Sequence, residues 1–156
     1  MDPQGIRSDR RPKDEVSGTR EAIERLVAAE HGDLECVFAE TLKQLRQGVE
    51  GAALRVTFAR LRNELEAHLA REDQLYYPAM RALRPALRDS LATMTSAHDT
   101  FRQRLADIEA GLAGGRPDAA FRLVQSLCNL FAAHEVAEEK MLHEIEQEIR
   151  VEDLVR

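Results

Sequence analysis

A chain of 156 residues, 44% hydrophobic and 32% charged, has room for one domain with a real core and not for several. Its formal charge of −6, with no Lys/Arg cluster interleaved with aromatics, offers nucleic acid no electrostatic footprint. Charges interrupt each apolar stretch well short of the roughly 20 residues that span a bilayer, and the polar start MDPQGIRSDRRPKDEVSG lacks a signal-peptide core, so a cytoplasmic protein with no membrane partner is expected.

Residues 1–18, with Pro3, Gly5 and Pro12 and few apolar side chains, read as a disordered arm, and 151–156 as a tail. From Thr19 the apolar residues recur at helical spacing, as in Leu34, Phe38, Leu42 and Leu45, or Leu54, Phe58, Leu61, Leu65 and Leu69. No segment alternates like a strand. Joints at Gly48 and Gly51, at Pro85, and from Gly111 to Pro117 divide the chain into helices over about 19–47, 50–84, 86–111 and 118–150. Gly32 suggests that the first of these is a short lead-in followed by the true bundle helix. Pro78 should bend or end the second, leaving 79–84 as a separate turn. Short connections make consecutive helices antiparallel, so the expected fold is all-α, an up-down-up-down four-helix bundle over 19–150. Cys36 and Cys128 form no C-x-x-C pair and read as two small buried side chains on helices.

The histidines carry the chemistry. With 28 acidic residues in 156, about one of the five histidines should have an acid four places on by chance; three do, in His31–Glu35, His68–Glu72 and His134–Glu138. Surface pairs at this spacing are common and add only a few tenths of a kcal/mol, so the count alone decides nothing. The arrangement does. His31 precedes His68 by 37 residues and His98 precedes His134 by 36, so His … His-x-x-x-Glu occurs twice. A shift of 66 lays Leu61 on Leu127, Asn63 on Asn129, His68 on His134 and Glu72 on Glu138, and a shift of 67 lays His31 on His98, Leu34 on Phe101 and Phe38 on Leu105.

Residues four apart share a helix face about 6 Å apart. Leu61, Leu65 and Leu69 flank His68, and Leu127, Leu130 and Phe131 flank His134, which puts both motifs on the apolar stripe. A carboxylate there costs several kcal/mol unless something pairs with it, and a metal supplies the pairing. Imidazole with carboxylate suits iron, manganese or zinc better than calcium, and bridging carboxylates suit two ions. His31, His68, His98 and His134 therefore read as terminal ligands, two to each metal, with Glu72 and Glu138 as bridges. If each of two irons takes about six ligands, these fill about eight of twelve positions and leave the rest open.

His143 falls half a turn out of phase with His134 and belongs to the solvent side. Glu35 has Arg102 as its counterpart under the repeat, which makes it an outer partner at best. Tyr76, one turn after Glu72, reads either as a donor to the site or as core packing. No Glu stands three places before any histidine, which disfavours a ferritin-like site.

The segments AAEHGDLECVF around His31, HLAREDQLYYP from His68, SAHDTF around His98 and HEVAEEKML from His134 together resemble the hemerythrin-like, or HHE cation-binding, family over about residues 20–150. That resemblance implies a non-haem di-iron centre bridged by two carboxylates, with uses that include dioxygen binding, nitric oxide or redox sensing, and iron handling. The dioxygen carriers have an extra histidine one turn after the third; here Arg102 stands at that place. The chain is similar instead to the symmetric four-histidine branch, which includes cluster-repair proteins and proteins with peroxide-related activity. The expected cofactor is two iron ions, with zinc and manganese as substitutes that suit the same donors. The expected partner is a small molecule: nitric oxide, dioxygen or peroxide. An enzyme acting on peroxide or Fe(II), a sensor, and an iron donor or store all remain open at this level.

Overall fold

The structure, a computed structural model, describes residues 12–154, and their side chains from 15 to 147. In chain order it contains α1 (Pro12–Arg46), α2 (Gly51–Arg71), one wide π turn (Glu72–Tyr76), α3 (Tyr77–Leu83), a single 3-10 turn (Pro85–Leu87), α4 (Arg88–Ala113) and α5 (Pro117–Leu154). The four long arms pack as a ring, α1 beside α2, α2 beside α4, α4 beside α5 and α5 beside α1. This is an all-α four-helix bundle, and there is no strand among the described residues. Among the described residues no helix is long and apolar enough to cross a membrane.

The inward face of each arm follows from steps of three and four. On α5 the buried positions include Ala120, Val124, Leu127, Phe131, His134, Glu138, Met141 and Ile145; on α4 they include Leu91, Met94, His98, Phe101, Leu105 and Ile108. On α2 they are Leu54, Phe58, Leu61, Leu65, His68 and Leu69, with Glu72 next; on α1 they are Ile23, Val27, His31, Leu34, Val37, Phe38, Thr41 and Leu45. The candidate ligands thus occupy places where a leucine would otherwise sit. Leu130, expected on this stripe beside His134, is 39% exposed, because the stripe runs through Leu127 and Phe131 instead.

Two connections end in the same device. Gly48 and Gly115 take φ of 69° and 64° after α1 and α4, and the residues after them, Val49 and Arg116, return N–H bonds to Gln44 and Gly111. A left-handed residue closing a helix this way satisfies the last carbonyls at no Cβ cost only if it is glycine.

Several expectations are corrected. α1 begins at Pro12, so 12–18 are helical and not part of an arm, while 1–11 lie outside the described residues. α5 reaches Leu154, four residues into the expected tail, and 155–156 lie outside the described residues. Gly32 does not break α1: its Cα faces open space and the flanking apolar positions keep one continuous stripe. Pro78 does not end the second arm. In a regular helix its ring would press on the carbonyl four residues back, but the π turn before it lets Tyr77 N–H bond to Glu72 five residues back, and the widened backbone accommodates the ring. Cys36 is exposed and Cys128 half-buried, so the expectation of two buried thiols fails; both fall off the inward stripe.

Candidate metal centre

Seven polar or charged residues are buried among the described residues, and six of them are His31, His68, Glu72, His98, His134 and Glu138. The seventh, Thr41, bonds its hydroxyl to the Val37 carbonyl within its own helix. The six form one layer across the bundle. On one side lies an apolar cluster that includes Leu34, Phe38, Leu61, Leu65, Phe101 and Phe131; on the other lies a second that includes Ile23, Val27, Tyr76, Met80, Leu91 and Ile145. Both clusters keep the local dielectric low, which strengthens every charge interaction in the layer.

Within the layer the donor atoms fall into two groups. His31, His68, Glu72 and Glu138 each bring a nitrogen or oxygen to within 4.8 Å of the others, and Glu72, His98 and His134 do so separately. Glu72 belongs to both. Its Oε1 lies 2.7 Å from His68 Nε2, and its Oε2 lies 3.0 Å from His98 Nε2 and 3.4 Å from His134 Nε2. Glu138 Oε2 lies 3.1 Å from His31 Nε2.

His134 Nε2 and Glu72 Oε2 are hydrogen-bonded, but the other three approaches are close without being hydrogen bonds. His31 Nε2, His68 Nε2, His98 Nε2, Glu72 Oε1 and Glu138 Oε2 are buried and none has an aligned hydrogen-bond partner. Orphaned buried polar atoms cost free energy and are rare in native cores. Nitrogens and oxygens aimed past each other at shared points fit cations placed between them, so the donor set suits a metal of the imidazole-and-carboxylate class.

The opposite ring nitrogens face a second set of carboxylates. Glu30 Oε2 is hydrogen-bonded to His68 Nδ1 at 2.6 Å; Asp73 Oδ1 lies 2.9 Å from His98 Nδ1 and Glu135 Oε1 3.4 Å from His31 Nδ1. Such partners orient a ligating imidazole and raise its basicity. Glu30 is itself held by Arg71 Nε at 2.6 Å and by the Tyr76 hydroxyl at 2.8 Å. Tyr76 therefore acts on the layer through Glu30 and does not enter it. Glu35 is exposed, so it takes no part, and His143 is exposed beside Glu146. Arg102 Nη2 lies 3.6 Å from Asp73 Oδ2, so the side chain at the position where dioxygen carriers have histidine addresses an outer carboxylate.

Sequence reading missed Glu30, Asp73, Glu135 and Tyr77. The first three adjoin His31, Glu72 and His134, yet serve histidines on neighbouring helices. One residue is about 100° around a helix, so an acid next to an inward residue points along the seam toward the next helix. That rule would have found them. Tyr77 depends on the π turn: one extra residue in the turn after Glu72 brings both Tyr76 and Tyr77 inward, 5% and 4% exposed. The Tyr77 ring stacks on His98 with centroids 5.6 Å apart, and its hydroxyl oxygen lies 3.2 Å from His134 Nε2.

Protonation follows from the crowding of charge in the metal-free chain. Burial alone would push the His68 pKa down, but the Glu72 and Glu30 carboxylates outweigh it and hold it up at about 9. His98 is raised for the same reason, with Glu72 and Asp73 overcoming burial. Burial acts to raise Glu72, and the three imidazoles His134, His68 and His98 override it and hold its pKa far down. Glu138 goes the other way, raised by burial despite His31 and further by the neighbouring Glu72 charge. Burial and the same two carboxylates push the Tyr77 phenol well above its ordinary range.

Beside the layer, a cleft of about 430 Å³ opens between α1 and α2, lined by Glu30, Asp33, Arg60, Glu64, Arg71 and His68 among others.

Fold and layer define a cation-binding helical bundle. The family profile of the hemerythrin HHE cation binding domain matches residues 22–145, and the chain belongs to that family. No curated protein and no solved structure matches it.

Proposed function

We propose that this is a non-haem di-iron protein that reacts with or senses a small molecule, nitric oxide, dioxygen or peroxide, at a carboxylate-bridged centre. The observation that carries the reading is the division of the buried layer into two donor groups that share Glu72. His31 and His68 would hold one ion, His98 and His134 the other. Glu72, a member of both groups, would bridge the two ions; Glu138, expected as a second bridge, stands with His31 and His68 and would serve the ion on that side. Glu30, hydrogen-bonded to His68 Nδ1, would hold that imidazole in the tautomer that leaves Nε2 free for a cation, and Asp73 and Glu135 face the Nδ1 atoms of His98 and His31. Phe131 packs edge-on to His31 and His68 at 5.5 and 5.9 Å and keeps water from that side. Iron bound here supplies redox chemistry toward a small molecule at the positions the protein leaves open. The test is exposure of the iron-loaded chain to peroxide, nitric oxide and air. Turnover of peroxide or Fe(II) defines an enzyme; a stoichiometric spectral change defines a sensor or carrier; an inert spectrum under all three contradicts the reading.

A second reading, an iron donor or store that serves cluster repair or iron homeostasis, draws on the cleft. Its lining, which includes the carboxylates Glu30, Asp33 and Glu64 with Arg60 and Arg71 among them, extends to His68 and would offer a cation a route to the layer. Rapid transfer of Fe(II) to an apo-cluster acceptor supports it, and a tightly held centre under the same conditions counts against it.

A further inference from the structure

We propose that Tyr77 is a seventh protein donor, ligating through its phenolic oxygen the ion held by His98 and His134. This rests on the reading of the layer as a two-metal centre. The two donor groups are unequal: the first has two histidines and two carboxylates, the second two histidines and Glu72 alone. Tyr77 stands on the deficient side. Its hydroxyl is hydrogen-bonded to His134 Nε2 at 3.2 Å, the nitrogen that also faces Glu72 Oε2 at 3.4 Å, and its ring stacks on His98 with the planes inclined by 30°.

The repeat explains the inequality. His143 occupies the place of Tyr77 in the second half, and there the regular α-helix carries it out to solvent, whereas the π turn after Glu72 rotates Tyr77 inward. The π turn is thus a departure from the repeat, and it brings a second oxygen donor to the group that otherwise has Glu72 alone. π turns inside α-helices are frequent at functional sites. The other buried tyrosine, Tyr76, spends its hydroxyl on Glu30 and is not available.

Ligation breaks the phenol O–H bond and forms an oxygen–metal bond; the proton passes to solvent and no electron moves. A hard phenolate oxygen favours the ferric state, so the ion beside Tyr77 should be the harder of the two to reduce.

The experiment is resonance Raman and visible absorption on the full chain, loaded anaerobically with Fe(II) and oxidised in air. The chain has two tyrosines, which makes the assignment simple. The expected result is a phenolate-to-iron charge-transfer band with enhanced tyrosine ring modes, kept in Tyr76→Phe and lost in Tyr77→Phe. If Tyr77→Phe fails to load, the band in wild type and in Tyr76→Phe still assigns it to Tyr77. An iron-loaded chain with no phenolate modes overturns this inference and leaves the metal centre standing. Loss of the band in Tyr76→Phe but not in Tyr77→Phe also overturns it. A chain that takes up no iron removes the metal reading and this inference with it.

Discussion

Metal affinity should climb steeply with pH, because the layer is protonated before a cation arrives. His68 is wholly buried and its pKa stands at about 9, against 6.5 for a free imidazole. That gap corresponds to about 3 kcal/mol in favour of the protonated form. A cation needs the neutral ring, so below pH 9 it must displace this proton, and apparent affinity gains about tenfold per pH unit for each proton released. Between pH 6 and pH 8, His68 alone gives roughly a hundredfold. His98 and Glu138, both also raised, steepen the slope wherever they too still hold protons. Zn(II) is a convenient probe, since it does not oxidise and suits the same donors. Affinity would be measured by competition with a chelator, corrected for the chelator's own protonation, at half-unit steps from pH 6 to 8. A slope below one decade per pH unit refutes the reasoning: it would mean that His68 is already neutral in the metal-free chain and that Glu72 and Glu30 do not hold its proton.

Other outcomes follow from the same geometry. In the metal-free chain the raised pKa of His68 contributes stability that is fully present below pH 6.5 and lost as pH rises through about 9, so thermal midpoints should fall across that window and metal should restore them. Glu72, whose pKa is lowered, contributes stability that is present above its ordinary pKa and lost as pH falls toward the folded value. Glu72→Ala should reduce bound metal toward zero because both donor groups lose a member, whereas His98→Ala should cost one ion; elemental analysis distinguishes them. Glu30→Gln keeps the shape but weakens the hold on His68 and should lower metal affinity about 10- to 100-fold with helix content unchanged by circular dichroism. Phe131→Ala opens a cavity under His31 and His68 and should cost about 3–5 kcal/mol, a fall in thermal midpoint of roughly 10 °C or more.

The bundle was legible because its signal is redundant: each arm repeats the three-and-four spacing many times, and glycines mark the ends at Gly48 and Gly115. The six layer residues were legible for a related reason. A histidine or glutamate standing where the stripe calls for leucine is a conflict that burial makes expensive, and the duplication shows the conflict twice. What the sequence hid is local and non-repeating. The π turn has no counterpart in the second half, so neither periodicity nor the repeat announces it, and the inward turn of Tyr77 disappears with it. Glu30, Asp73 and Glu135 look like ordinary surface acids along their own helices; only the packing of one helix against the next gives them histidine partners. Gly32 misled because a glycine in a long helix weakens it by only about 1 kcal/mol, and the tertiary packing on either side prevails.

Counting iron tests the reading of the layer as a two-ion centre most directly. Elemental analysis of the chain after anaerobic reconstitution with Fe(II) and desalting should find close to two irons per chain. A value near zero would contradict it, and would leave a helical bundle with a glutamate, Glu72, buried among three histidines for no purpose that the packing explains.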